Sequence, residues 1–342
     1  MAESGQRDPP APRSPAMTDV ARAAQVSHQT VSRVLNGHPN VRPETRARVL
    51  DAIEQLGYRP NLAARALATG RSNALGLVTL DTMLLGPVAT MYAVEQAARR
   101  AGYSVSIRSQ NSIDRASLAD SLSHFAQQSV AGVIVIAPVA TRDSALEALS
   151  AAIPIVVVEA APQTEISAVT VDQQKGAYLA TKHLLDLGHA TVAHISGPSD
   201  WIEARERVVG WTRALAEAGV EPPAVIKGDW SAQSGYDAGR LIADAPEMTA
   251  VFAANDNMAL GLLRALNERG RQVPDDVSVV GFDDVAEAAF FSPPLTTIRQ
   301  DFAAMGSRSV ELLLRQLEAP GHKVERIELT PELVLRESTA RA

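Results

Sequence analysis

The sequence predicts an α plus α/β chain: a helix-turn-helix domain near its start, then a two-lobed body in which each lobe is a doubly wound parallel sheet. Three observations carry this expectation. Between residues 17 and 60, short apolar segments recur at helical spacing with cap residues between them. From Asn73 onward, short apolar runs alternate with amphipathic stretches, the pattern of repeated strand-helix-strand units. That alternation restarts after Asp172, so two lobes are expected rather than one long sheet.

Composition narrows the class. A chain of 342 residues with 46% apolar residues is long enough for two or three packed domains. The absence of Cys excludes a disulfide framework, a thiolate metal site and a cysteine nucleophile, and suits a reducing, cytoplasmic setting. The seven His show no metal-ligand spacing, so neither a metal nor a cofactor is expected. Residues 1–16 hold four Pro and no apolar run, so they read as a disordered leader rather than an export signal. The net charge of −7 is unevenly spread. Residues 17–71 hold eight Arg against four acidic residues, whereas residues 72–342 hold 22 basic against 33 acidic. A basic head on an acidic body points to a small anion-binding module joined to a different function.

In the head, Thr18 is positioned to cap a first helix that buries Val20, Ala21 and Ala24. Ser27 caps a second through Val31, Val34 and Leu35, which Asn36-Gly37 ends. A third starts at Pro43, carries Val49, Leu50, Ile53 and Leu56 inward, and stops at Gly57. Spacing alone fits a helical cap or dimerisation domain equally well, but the residue types of the second helix do not. His28, Gln29, Thr30, Ser32 and Arg33 stand at and after its start, where a recognition helix meets base edges. Gln pairs with adenine and Arg with guanine, while Ser and Thr bond phosphates.

The segment from Thr18 to Asn61 resembles, over its whole length, the DNA-binding domain of the lac repressor family of bacterial transcriptional regulators. The resemblance implies that His28, Gln29 and Arg33 read bases and that Thr18, Ser27, Thr30, Ser32 and Asn36 also face DNA. One departure is Gln25, where the family usually has Gly in the turn. If that residue needs a positive φ, Gln costs roughly 1 to 2 kcal/mol there. Residues 61–72 then read as a hinge too short to be a stable helix alone. The resemblance implies that it folds on operator DNA, with Asn61, Ala64 and Leu67 at the duplex and Leu67 wedged into the minor groove. The other reading is an ordinary linker.

The body's expected strands are 74–79, 103–108, 131–137, 154–159, 191–196, 224–228, 249–254 and 277–282, with helices 87–101, 115–128, 144–151, 175–187, 204–218, 234–244 and 258–269 between them. The expected lobes are 73–171 with 302–329, and 172–301 with 330–342. Ligands in such folds sit at the carboxyl ends of the strands. No nucleotide-binding glycine loop or nucleophile-elbow serine follows a strand, so an enzyme is a secondary reading, resting on strand-end acids such as Asp256, Asp283 and Asp284.

Segments 196–198, 204–211, 228–236, 253–261 and 293–302 extend the family resemblance through the body and imply a periplasmic-binding-protein-like fold with a small-molecule effector between its lobes. Matched one by one, they imply an effector pocket formed by Arg207, Trp230, Asn255, Asn257 and Asp283, with Phe302 beneath the ligand. Taken singly, Arg207 is otherwise a solvated charge, Trp230 and Phe302 are packing residues, and Asn255 and Asp283 are caps. Where relatives have a pocket asparagine, serine, aspartate and aromatic wall, this chain has Ile136, Glu203, Glu159 and Val171. The chemistry fits a sugar: Arg and Asp bond hydroxyls, and an indole covers a pyranose face. The expected function is therefore a repressor released from double-stranded operator DNA by a sugar or glycoside inducer, a galactoside first. The alternative is a corepressor-dependent regulator that binds a purine. A sugar receptor would need an export signal and no helix-turn-helix. A homodimer is expected because two heads must match two half-sites, and no leucine heptads follow Leu333 to make a larger assembly.

Overall fold

The computed structural model describes residues 15–35, 38–58, 72–80, 82–112, 114–136, 153–160, 165–319 and 323–342. The chain divides into two compact units, Met1–Ser72 and Asn73–Ala342. The hinge residues Asn61, Ala64 and Leu67, together with Asn36 and the expected helix 144–151, lie outside the described residues.

In the first unit, α1 (Met17–Ala23), α2 (His28–Leu35) and α3 (Pro43–Leu56) pack around Val20, Ala24, Val31, Val34 and Val49. Thr18 is not a cap. The helix begins at Met17 on the Ala16 N-cap, and Asp19, one turn in, accepts from the Ala16 N–H at 2.9 Å. Leu50, expected inside, is 51% exposed, because α3 turns Val49 and Ala52 inward instead. Ser27 does cap α2: its Oγ accepts from the Thr30 N–H at 3.1 Å.

The turn between α1 and α2 is a backbone motif with a fixed requirement. The Val26 N–H bonds the Ala21 carbonyl at 3.0 Å and the Gln25 N–H bonds that of Arg22 at 3.2 Å, a Schellman closure. Such a closure places its penultimate residue in the left-handed region, and Gln25 has φ of 52°. The same closure ends α3, where Gly57 takes φ of 60° without a Cβ to strain it.

The second unit holds two six-stranded sheets. The first is ordered β11-β5-β4-β3-β1-β2, from β1 (Ala74–Leu80), β2 (Ser104–Gln110), β3 (Gly132–Ile136), β4 (Ile155–Val158), β5 (Ala168–Val171) and β11 (Arg326–Leu329), all parallel. The second is ordered β12-β10-β9-β8-β6-β7, from β6 (Ala193–Ser196), β7 (Ile226–Lys227), β8 (Ala250–Ala253), β9 (Ser278–Asp283), β10 (Thr296–Arg299) and β12 (Glu332–Val334). Only β12 there runs antiparallel, on β10. Strands β3, β4, β5, β6, β8 and β9 are buried along their whole length, and β3, β4 and β8 accordingly read as unbroken apolar runs.

Helices α4 (Leu85–Arg100), α5 (Arg115–Gln127) and α10 (Phe302–Glu318) cover the first sheet. Helices α6 (Gln173–Asp186), α7 (Ile202–Glu217), α8 (Ala232–Ala243) and α9 (Asp256–Glu268) cover the second. Each sheet is thereby sandwiched between two apolar clusters, with Leu75 and Val94 in one and Val78 and Phe125 in the other around the first sheet. Helices α8 and α9 touch through glycine: a Cβ on Gly261 would lie 1.8 Å from the Ala232 carbonyl oxygen, and one on Gly235 2.0 Å from that of Met258. The chain passes between sheets at residues 172, 300–301 and 330–331, and α10 sends the chain back across the first sheet. Among the described residues, no helix is long and apolar enough to cross a membrane.

Replacing Gln25 by Gly should relieve the left-handed strain at the turn, partly offset by the greater freedom of Gly in the unfolded chain, for a net gain of about 0.5 kcal/mol. Hydrogen-exchange protection of the first unit's slowest amides should rise in the Gln25→Gly chain. Unchanged or weaker protection would show that Gln25 is unstrained.

Candidate functional site

Two surfaces collect the residues that the sequence singles out. On the first unit, His28, Gln29 and Arg33 are exposed along α2, with Thr30 and Ser32 half-buried beside them. Ser27 and Thr30 are tied to each other, Oγ to Oγ1 at 2.9 Å, so both serve the helix start as well as whatever meets it. Val31 and Val34 on the opposite face anchor α2 in the core, which leaves a rigid row of donors and acceptors pointing outward. Thr18 is exposed on α1.

In the second unit a cleft of about 560 Å³ of empty space, open at its mouth, lies where the strand ends of both sheets converge. Its lining includes Ile136 at the end of β3, Glu159 just after β4, Trp230 after β7, Asn255 after β8 and Asp283 at the end of β9. Glu203 and Arg207 reach it from α7 and Phe302 from the first residue of α10. Three of these residues, Glu159 (φ 58°), Trp230 (φ 74°) and Asp283 (φ 108°), have left-handed backbones. Strained non-glycine residues gather at sites where the chain must aim a side chain, and here they turn away from a strand end into the cleft.

Arg207 organises the polar side of the cleft. Its Nε donates to Gln173 Oε1 at 2.9 Å, its Nη1 to the Ala254 carbonyl, and its Nη2 stands 3.7 Å from Asp283 Oδ1. The guanidinium also lies 3.7 Å from the centre of the Phe282 ring and 5.4 Å from that of Trp230. Gln173 Nε2 donates to Gln300 Oε1 at 2.8 Å, and Gln300 Nε2 donates to Asp283 Oδ1 at 2.7 Å, which closes a ring of four side chains. Gln173 Nε2 also reaches Glu159 Oε1 at 3.3 Å, so the ring joins both sheets. Asn255 is spent on structure: Oδ1 caps α9 at the Met258 N–H and Nδ2 holds the Trp230 carbonyl at 3.0 Å. Trp230 packs edge-on against Trp201, 5.7 Å between centroids.

Among the described residues, two buried polar atoms in this lining have no hydrogen-bond partner, Glu203 Oε2 and Trp230 Nε1. Asn257 does not line the cleft. It is the second residue of α9, and two steps of roughly 100° each carry it well round the helix from Asn255. Gln173, Gln300, Trp201, Leu84, Thr90 and Met305 belong to the lining without having been expected there. The first two follow Asp172 and precede Asp301, the N-caps of α6 and α10, and that position at a crossover was the legible signal.

Burial sets the charge state of the cleft. Desolvation pushes the Glu159 carboxyl up to about 7 against the pull of the Val171 N–H and the Arg207 charge. It pushes Asp283 up to about 6, again opposed by Arg207. Glu203 is pushed well above the usual carboxylate range by burial and then by the neighbouring Glu159 charge. Asp256, behind the lining and bonded to Thr297 Oγ1 at 2.5 Å, is pushed up to about 8 by burial.

Residues 16–61 match the model of bacterial regulatory proteins of the lacI family, and residues 181–339 match a periplasmic binding protein-like domain. The chain is 39% identical over 329 residues to the HTH-type transcriptional repressor PurR of Mannheimia succiniciproducens, covering 94% of this chain and 97% of that protein. It is 36% identical over 324 residues to the lactose operon repressor of Escherichia coli K12, covering 94% and 89%. A crystal structure of the lac repressor dimer bound to operator and the anti-inducer ONPF superposes with a TM-score of 0.87 at 34% identity, covering 96% of this chain and all of that one.

A carboxyl with a higher pKa folded than unfolded keeps extra protons in the folded state across the window between the two values, so stability falls as pH rises through it. For Asp283, Glu159 and Asp256 those windows run from 3.8 to about 6, 4.5 to about 7 and 3.8 to about 8. The effector-free chain should therefore melt at progressively lower temperature from about pH 6.5 towards pH 8; below that, buried His194, held at about 4 by desolvation, opposes the fall. Glu159→Gln should flatten the fall. A melting temperature that does not fall over this range would mean that these carboxyls are already ionised there.

Proposed function

Because this chain belongs to the lacI family of bacterial regulatory proteins and is a DNA-binding transcriptional repressor, we propose that it is a ligand-gated repressor, released from its operator by a sugar or glycoside held in the cleft of the second unit. The observation that carries the ligand reading is the constellation of Arg207, Asp283 and Trp230 on one cleft, with a buried carboxyl oxygen and an indole N–H left for an occupant. Sugar hydroxyls both donate and accept, so they match this mixture, and an indole beside them suits the C–H face of a pyranose. A galactoside is the first candidate to try, in keeping with the similarity to the lactose operon repressor.

In the first unit, His28, Gln29 and Arg33 are the base readers, with Thr18, Ser27, Thr30 and Ser32 at the phosphates. Asn36 also faces the DNA, and the hinge residues Asn61, Ala64 and Leu67 complete the contact in a segment that folds on the operator. The chain acts as a homodimer on two half-sites. An occupant of the cleft touches groups from both sheets and stands beside the Gln173 and Gln300 crossovers, so it favours one relative orientation of the lobes over another. Operator and effector then oppose each other with one coupling free energy, whichever binds first.

The similarity to PurR repressors supports a second reading, a purine corepressor that strengthens operator binding. Calorimetry of the full chain with sugars and with purine bases separates the two. Trp230→Ala and Asp283→Ala should each abolish effector release, a loss of at least about tenfold in effector affinity, while the operator is still bound. Binding of a purine alone, with tighter operator binding, would establish the second reading. Loss of operator binding in both variants would mark them as misfolded and leave the cleft without its assigned role.

A further inference from the structure

We propose that the effector is an amino sugar, its ammonium group seated against Glu203 and Glu159. The inference rests on the sugar reading of the cleft and narrows it to one chemical class.

Among the described residues, the charged groups that line the cleft are Glu159, Glu203 and Asp283 against Arg207. Arg207 is the one cation among the described lining residues, and it is already engaged: Nε donates to Gln173, Nη1 to the Ala254 carbonyl, and Nη2 faces Asp283. A phosphate or carboxylate on the ligand would enter beside three carboxyl groups and have to compete with Asp283 for the single guanidinium of the described lining. The excess is of carboxyl groups over cations. Glu159 meets part of its need through the Val171 N–H and Gln173 Nε2, both at 3.3 Å, and Asp283 through Gln300 at 2.7 Å. Glu203 Oε2 meets none, although that oxygen is out of contact with solvent.

An ammonium has three N–H donors and no acceptor, and it supplies the positive charge that two close carboxylates need in order to be ionised together. The second unpartnered atom sets the rest of the ligand. Trp230 is 5% exposed, its Nε1 only donates, and an ammonium cannot accept from it. A hydroxyl oxygen on the same molecule can. The occupant thus carries at least one basic amine and at least one hydroxyl on a ring compact enough for the cleft, which describes an amino sugar and not a simple amine, a sugar phosphate or a sugar acid. The groups facing Glu203 are Glu159 beyond β4, Arg207 on its own helix and Asp283 at the end of β9, and the first and third raise its need for a cation while the second lowers it.

Calorimetry of the full chain at neutral pH with galactose, glucose, their 2-amino and N-acetyl-2-amino derivatives, their 6-phosphates and hypoxanthine is the test. The amine of one sugar should bind roughly tenfold or more tighter than both its parent and its N-acetyl form. Glu203→Gln should erase that margin and Glu203→Asp should keep most of it. If a neutral sugar binds as tightly as its amine, or the margin survives in Glu203→Gln, the inference is overturned and the sugar reading stands. Binding of hypoxanthine with no sugar bound overturns the sugar reading beneath it, and a chain that binds nothing in the panel overturns the inference.

Discussion

A guanidinium carries its charge at any pH the chain will meet, and Arg207 is placed where almost no water reaches it. An isolated cation there would cost several kcal/mol, so the surroundings must answer it. They do so with a carbonyl, an amide, a carboxylate and two aromatic faces drawn from four separate stretches of chain. Much of the cleft follows from that demand. Asp283 adopts a strained backbone to face it, Gln173 is oriented with its oxygen towards Nε, and that orientation leaves the Gln173 amide to donate to Gln300 and Glu159. The direction of each hydrogen bond in the ring is set by the one member that can only donate.

The ring also lies where the chain changes sheets. Gln173 begins α6 directly after one crossover, and Gln300 stands within another. A change in the cleft is therefore felt first by the segments about which the two lobes would turn. Packed elements elsewhere allow little adjustment: α8 and α9 meet so closely that neither Gly235 nor Gly261 has room for a Cβ. An occupant of the cleft would act on the polar seam between the lobes before it disturbed packing as close as this.

Left-handed residues show how differently strain is used in the two units. At Gln25 the positive φ is demanded by a Schellman closure and glycine would serve, as it does at Gly57. At Glu159, Trp230 and Asp283 the side chain is the reason for the strain, because each is carried by that backbone twist from a strand end into the cleft. Glycine at those positions would relax the chain and remove the group that matters.

The sequence by itself determined the helix-turn-helix with its outward His28, Gln29 and Arg33, and the alternating architecture of the two lobes. These are legible because periodicity, caps and turn residues act over a few neighbours. It also placed Glu159, Glu203, Arg207, Trp230, Asn255, Asp283 and Phe302 as a set, through their resemblance to a family and their positions at strand-to-helix junctions, and the fold brings those seven to one cleft. Other features were open to it only in part. Helical rotation turned Asn257 aside and left Leu50 exposed, and the N-cap of α1 stands two residues ahead of the expected one because Asp19 reaches back to Ala16. What tertiary structure alone decided is the partnership of groups far apart in the chain: the Gln173–Gln300 ring, the shared field of Glu159 and Glu203, and the two buried atoms left without partners. Burial and charge depend on what folds around a residue from every side, and no local pattern in the chain records that.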